Sequence, residues 1–301
     1  MMPHNFRKTF VLVAVVAALS TGCKYSKQYQ QLTEAGDKYT TAVDELLVKA
    51  GKLQVESTSE DILSDDRISN RTVQQYIQVS EQDKEVLQII NDIRNHNRLL
   101  KKYFYKLDEL ARSDAPERTQ QEIEGITNNL QKISSHLQTT RFSLNPGILK
   151  GIGHLAIHSK INGALREELE KRDRTILQEL TIQQEMLGKL SEFMKNKVER
   201  KRLAQEQRFV IRPLINEVAI SDEEGWIQRR NEIFVIDTRV EELDNASIAL
   251  AEFKNVFKDS VEGKITGVRL NNALKDIDSF LALLENKQQP IQEEISNNEN
   301  N

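Results

Sequence analysis

Few side chains in this chain could do chemistry, and their spacing says which kinds. Cys23 is the only cysteine, so no disulfide can form within the chain. His154 and His158 stand four apart; on a helix both rings would face one way and could share a metal. No Cys, Asp or Glu lies close in sequence to add a third ligand, so two solvent-facing histidines near a helix start are the expectation. Gly147, Lys150, Gly151 and Gly153 precede that helix and could form a crude anion cradle. Without a strand before them or a Lys-Ser/Thr pair after them, a nucleotide site is not expected. Glu167-Glu168 and Asp222-Glu223-Glu224 read as solvated carboxylates and helix N-terminal charge rather than an acid-base pair. There is no Gly-x-Ser-x-Gly, no phosphate loop and no His-Glu-x-x-His. The expectation is a chain without catalytic, cofactor or metal residues.

The setting of Cys23 is more specific. Arg7 and Lys8 open the chain, Phe10 to Leu19 carries no charge, and the small Gly22 precedes the cysteine; together these make a secretory signal. Leu19-Ser20-Thr21-Gly22-Cys23 resembles the lipobox of bacterial lipoproteins, with Ser20 where Leu is most frequent. That resemblance implies removal of residues 1–22, a diacylglyceryl group on the Cys23 sulfur and usually a further acyl chain, such as palmitate, on the new amino terminus. The membrane is then a partner through this lipid anchor. Lys24 follows the cysteine where an Asp would retain an enterobacterial lipoprotein in the inner membrane, so the outer membrane facing the periplasm is the expected location. An uncleaved anchor helix needs roughly 20 apolar residues, and this run is shorter. Loss of Arg7 and Lys8 takes the net charge from −4 to −6, which argues against a nucleic-acid binder.

The elements that carry these residues read as long helices. Only 12 Gly and 5 Pro interrupt 301 residues. Tyr25, Tyr29, Leu32, Gly36, Tyr39, Val43, Leu46, Ala50 and Leu53 alternate spacings of four and three, a heptad stripe that predicts a helix packed lengthwise on neighbours. Ser57 to Asn70 reads as a break holding one turn around Ile62 and Leu63. Val86, Ile90, Ile93, Asn97, Leu100, Phe104, Leu107 and Ala111 form the next stripe, with Ser80 and Asp83 as a cap. Asn97 there either fixes register or marks an exposed edge. Asp114 and Pro116 suit a helix start, and Ile123, Ile126, Leu130, Ile133 and Leu137 follow. A helix from His154 to Gln207 would be about 75 Å long, with Ile161, Leu165, Leu169, Ile176, Leu180, Leu187, Leu190 and Met194 on one face. Phe209 to Ile220, broken by Pro213, reads as a turn or short helix at one end. Ser221 and Glu224 suggest a capping box before a helix through Trp226 and Phe257. Gly263 and Gly267 allow the last reversal, into Leu270, Leu274, Ile277, Leu281 and Leu284. The fold class is all-α: an elongated antiparallel bundle of about five to six long helices over 23–287, with a disordered polar tail at 288–301. Such heptads fit intramolecular packing as well as a coiled-coil dimer, so the oligomeric state is left open.

One surface feature stands out. Gly125 to Arg166 has no Asp or Glu, although 46 of 301 residues are acidic, where about six would be expected. Phe142, Lys150, Ile152, His154, His158 and Lys160 are the candidate contact residues. Basic and apolar groups together suit anionic lipid or an acidic partner; alternatively the apolar ones cap the bundle core. The expected function is a non-catalytic, lipid-anchored scaffold or interaction module of the cell envelope with an envelope protein partner. The alternative is a membrane-active protein using 125–166 or the apolar turn 209–220.

Overall fold

A computed structural model describes residues 5–64, 72–112, 116–142, 146–161, 163–215, 220–234 and 239–265, together with 268, 269, 271, 272 and 275. Side chains are described from Thr33 onwards, except at 35, 42, 146 and 239–243. Among these residues there are helices and no strand: α1 (Asn5–Ser64), α2 (Val73–Arg112), α3 (Pro116–Leu137), a 3-10 turn (Pro146–Leu149), α4 (Gly163–Gln205), a π-helical turn (Glu206–Ile211), α5 (Arg212–Ile215), α6 (Glu223–Phe234) and α7 (Arg239–Val261).

The heptad stripes become the core. Tyr39, Val43, Leu46, Ala50 and Leu53 of α1 are buried against Val86, Ile90, Ile93, Leu100, Phe104 and Leu107 of α2. Leu169, Ile176, Leu180, Leu187, Leu190 and Met194 of α4 complete the interior with Leu250, Phe253 and Phe257 of α7. Helix α1 packs on α2, α4 and α7, while α3 lies against α2 and α4. Phe104 sits at the centre of an aromatic cluster, edge-on to Phe253 at 5.0 Å and to Phe257 at 5.5 Å. Tyr39 donates to the Ala246 carbonyl at 3.1 Å, and burial raises its phenol well above the ordinary value. Seam position Asn97 is buried rather than at an edge, and its Nδ2 donates to the Thr40 carbonyl at 2.9 Å. A mismatched register would leave that amide unsatisfied.

Cross-helix bonds fix the directions. Gln54 reaches Asp83 and Asn97 reaches Thr40, while Ser57 reaches the Lys197 carbonyl and Gln205 reaches Glu60, so α1 and α4 run the same way with α2 against them. Glu122 and His136 of α3 pair with Lys106 and Asp92 of α2, and Glu124 and Ser134 of α3 meet Lys171 and Glu179 of α4, which makes α3 antiparallel to α2 and parallel to α4. The described residues 138–142 and 146–161 therefore carry the chain back along the bundle as a strap.

Four boundaries differ from the sequence reading, two because of distant polar partners and two because a neighbouring side chain caps the helix elsewhere. Helix α1 continues through Ser57 to Ser64: Ser57 Oγ donates to the Lys197 carbonyl at 2.7 Å and Thr58 Oγ1 to Asp83 Oδ2 at 2.9 Å, so these residues join helices instead of ending one. Helix α2 begins at Val73, where Thr72 Oγ1 accepts the Gln75 N–H at 3.1 Å; Ser80 and Asp83 lie inside it. Helix α4 starts at Gly163 rather than His154, since the Leu155 N–H is taken by Asp173 and the His158 N–H by Val261. Gly163 has φ +59°, which lets the strap turn into the helix. The helix expected from Ser221 through Phe257 is two, α6 and α7, and Asp222 rather than Ser221 supplies the cap, accepting the Gly225 N–H at 2.9 Å. Asp114, Leu144, Gly267, every residue of the last stripe and the tail 288–301 lie outside the described residues.

Helix α7 ends in a Schellman arrangement: Lys264 N–H reaches Asp259 O at 2.8 Å and Gly263 N–H reaches Ser260 O at 3.3 Å. Gly263 has φ +70°, and a Cβ there would collide with the His158 ring. At the other end, Pro213 lacks an amide hydrogen and its ring would press on the carbonyl four residues back. The turn before it widens into π geometry, with the Arg212 N–H bonded to Gln207 O. From Gly163 to Ile215 the axis thus runs about 80 Å.

Candidate functional site

The six candidate contact residues divide between two environments. Phe142 is not on the surface: it is 5% exposed and meets Phe193 edge-on at 5.2 Å. Ile152 is half-buried against the core, with Ile148, Leu149, Leu155 and Ile157. Lys150, His154 and Lys160 are exposed, and His158 is half-buried beside Gly263. The apolar members thus cover the bundle while the polar ones face outward.

His154 and His158 do not share a helix face, because residues 152–158 are not helical. Instead α4 brings Asp173 to His154, with Nδ1 and Oδ1 2.8 Å apart; the other Asp173 oxygen accepts the Leu155 N–H. Asp173 is buried while the imidazole is 64% exposed. The carboxylate fixes both the ring and the backbone, a clasp that pins the strap to α4. Its signal in the sequence was weak, since partner and ring stand 19 residues apart. Among the described residues no group of three or more His, Cys, Asp or Glu could hold a metal.

Two buried polar clusters differ from the sequence reading, which passed over the first and placed Glu168 of the second among solvated carboxylates although it is 1% exposed. Where α2, α3 and α4 meet, His96 lies 0% exposed, with Nδ1 2.7 Å from Gln183 Oε1 and Nε2 2.8 Å from Glu179 Oε2. Ser134 Oγ donates to the second Glu179 oxygen at 3.2 Å. A fully enclosed ring cannot reach a substrate, so this cluster orders three helices. Its only signals were a histidine beside the seam residue Asn97 and the four-residue spacing of Glu179 and Gln183. The second cluster joins Arg172 to Glu168 on its own helix and to Glu124 of α3 at 3.3 Å. Burial pushes the Glu168 carboxyl up to about 7 despite the opposing Arg172 charge.

The end of the bundle away from Cys23 has a different surface. Leu63, Val73, Tyr76 and Ile77 are 47%, 76%, 63% and 42% exposed, and Leu203, Leu214, Ile215, Ile227 and Phe234 are also open to solvent. Helix α6 holds this end together through Trp226, whose indole N–H donates to the Val210 carbonyl at 3.2 Å. Arg208 stacks on Phe209 at 4.1 Å and Arg230 on Phe234 at 5.1 Å. A groove of about 780 Å³ lined by Val48, Gly51 and Val55 of α1 with Leu87 and Ile90 of α2, and bordered by Lys201 of α4, leads toward it. Among the residues whose side chains are described, no helix is long and apolar enough to cross a membrane. Comparison with protein-family models, curated proteins and solved structures finds no match to this chain.

Proposed function

We propose that the chain is a lipid-anchored lipoprotein of the bacterial cell envelope and works as a non-catalytic helical scaffold. It stands on its membrane through Cys23 and presents the apolar end to an envelope protein. The observation that carries this reading is one uninterrupted helix from before Cys23 to Ser64, beyond which the exposed Val73, Tyr76, Leu214 and Ile215 gather. Cys23 to Ser64 spans about 60 Å along the helix, so the contact end sits far from the anchor. Most of the exposed large apolar side chains among the described residues lie at this one end, and such a concentration suits protein contact.

Photo-crosslinkers at Tyr76 and Leu214 in living cells test the reading. Both positions should capture the same envelope protein, and a crosslinker at mid-shaft Asp37 should not. Equal capture at all three, or none at the two distal positions, sinks it. Cys23→Ala should move the protein out of the membrane fraction. Exposed Leu214 and Ile215 favour a second reading, insertion of this end into a lipid surface; dye release from vesicles that Leu214→Asp abolishes would select it instead.

A further inference from the structure

The acid-free run contributes to a site on the flank of the bundle. Between α2 and α3 lies a groove of about 670 Å³. Its floor is apolar, formed by half-buried Leu99 and Ile133, and its rims are the exposed Arg98, Lys102, Lys132 and His136. Asn95 and Asn129 add amide donors, one from each helix. The single acid in the lining is Asp92, which already accepts from Gln88 at 2.9 Å and faces His136 at 3.5 Å.

The charges on these rims are poorly neutralised. Arg98 shares Asp44 at 3.1 Å with Arg94, which grips both oxygens of that carboxylate at 2.8 Å. Lys102 and Lys132 make no ion pair among the described residues. One turn further along α2, Lys106 is tied to both Glu109 and Glu122. A chain of net charge −4 thus concentrates unpaired cations where two helices form a cleft.

We infer that this groove binds a phosphate-bearing solute. A phosphate carries about two charges near pH 7 and three oxygens open to donors, so it can accept from lysines on both walls at once, whereas a carboxylate offers two oxygens in one plane. Lys serves phosphate as a point charge, and Arg adds a planar fork. The apolar floor suits the carbon skeleton attached to the phosphate. The choice of a solute over a lipid headgroup rests on the membrane-anchored reading. Asn97 ties this level of α2 to Thr40, about 25 Å along α1 from Cys23. The field of a bilayer falls off over a Debye length of about 8 Å.

Calorimetric titration of the purified full chain, in neutral detergent at low salt, tests the inference with inorganic phosphate and glucose 6-phosphate as probes. Both should bind saturably, the sugar phosphate more tightly. The double variant Lys102→Gln, Lys132→Gln should weaken both by about ten-fold or more with an unchanged melting midpoint. Lys52→Gln, an exposed lysine on α1, should change neither. No saturation at about 10 mM probe, or an affinity that the double variant leaves intact, overturns the inference. Reconstituted into phosphatidylcholine vesicles containing phosphatidylglycerol, the protein should keep its solute affinity. Loss of solute binding there, but not in phosphatidylcholine alone, assigns the groove to headgroups and overturns the solute reading. Failed distal crosslinking would remove the scaffold reading without touching this titration, which uses purified protein.

Discussion

Glu168 is the residue whose position most directly sets a measurable property. Its folded value of about 7 lies above the ordinary 4.5, so the native state binds this proton more tightly than the unfolded chain does. Stability from the protonated form is complete below about pH 4.5 and declines as pH rises through about 7. Glu168→Gln, which keeps an acceptor for Arg172, should therefore match the parent near pH 5 and melt higher at pH 8, by on the order of 2–3 kcal/mol. Melting curves at the two pH values check this; a variant destabilised at pH 8 would contradict it. Glycines offer a paired test. Gly36 packs under Phe253 with room for a Cβ at 3.4 Å, so Gly36→Ala should stabilise by about 0.5–1 kcal/mol through helix propensity. Gly263→Ala should do the reverse by at least about 1 kcal/mol, because its φ is left-handed and His158 fills the space. The place of Asn97 in its stripe allowed two roles, and only the Thr40 carbonyl, 57 residues away, selects the buried one. The role of His96 was not legible in the sequence, because Glu179 and Gln183 lie 83 and 87 residues away.

At the scale of elements, periodicity located the helices, while long-range polar bonds and local caps set where they begin and end. The stripes from Tyr39 to Leu53 and from Leu165 to Met194 are the core as read, since burial of one face follows from spacing alone. Ser57 and Thr58 looked like breakers because local propensity cannot foresee acceptors on α4 and α2. The strap shows the same effect inverted: residues 154–161 have no helix breaker among them, yet Asp173 and Val261 claim their amides. Asp173→Asn should loosen this strap without unfolding the bundle. Hydrogen exchange at the Leu155 amide should accelerate and trypsin should cut at Lys150 or Lys160 about ten-fold faster. Unchanged protection in the variant would show that the apolar contacts of Ile152 and Ile157 hold the strap alone.

The whole molecule is long because its axes are shared. With α4, the π turn and α5 in one line of about 80 Å, small-angle scattering should give a largest dimension near that length. The radius of gyration should lie well above the about 19 Å of a compact chain of this size; a value near 19 Å would refute the extended bundle. The proposed anchor, contact end and phosphate groove occupy successive heights along this axis, so each can be altered without disturbing the others. The parallel course of α1 and α4 also has a consequence in time. Synthesis delivers α1 first, yet Gly36 and Tyr39 meet Phe253, and Ser57 meets Lys197, only after most of the chain exists. The earliest helix is therefore the last to be finished. Until the ribosome has passed Phe257, an apolar seam from Tyr39 to Leu53 has only half its partners, and the nascent protein depends on whatever else in the cell will cover it.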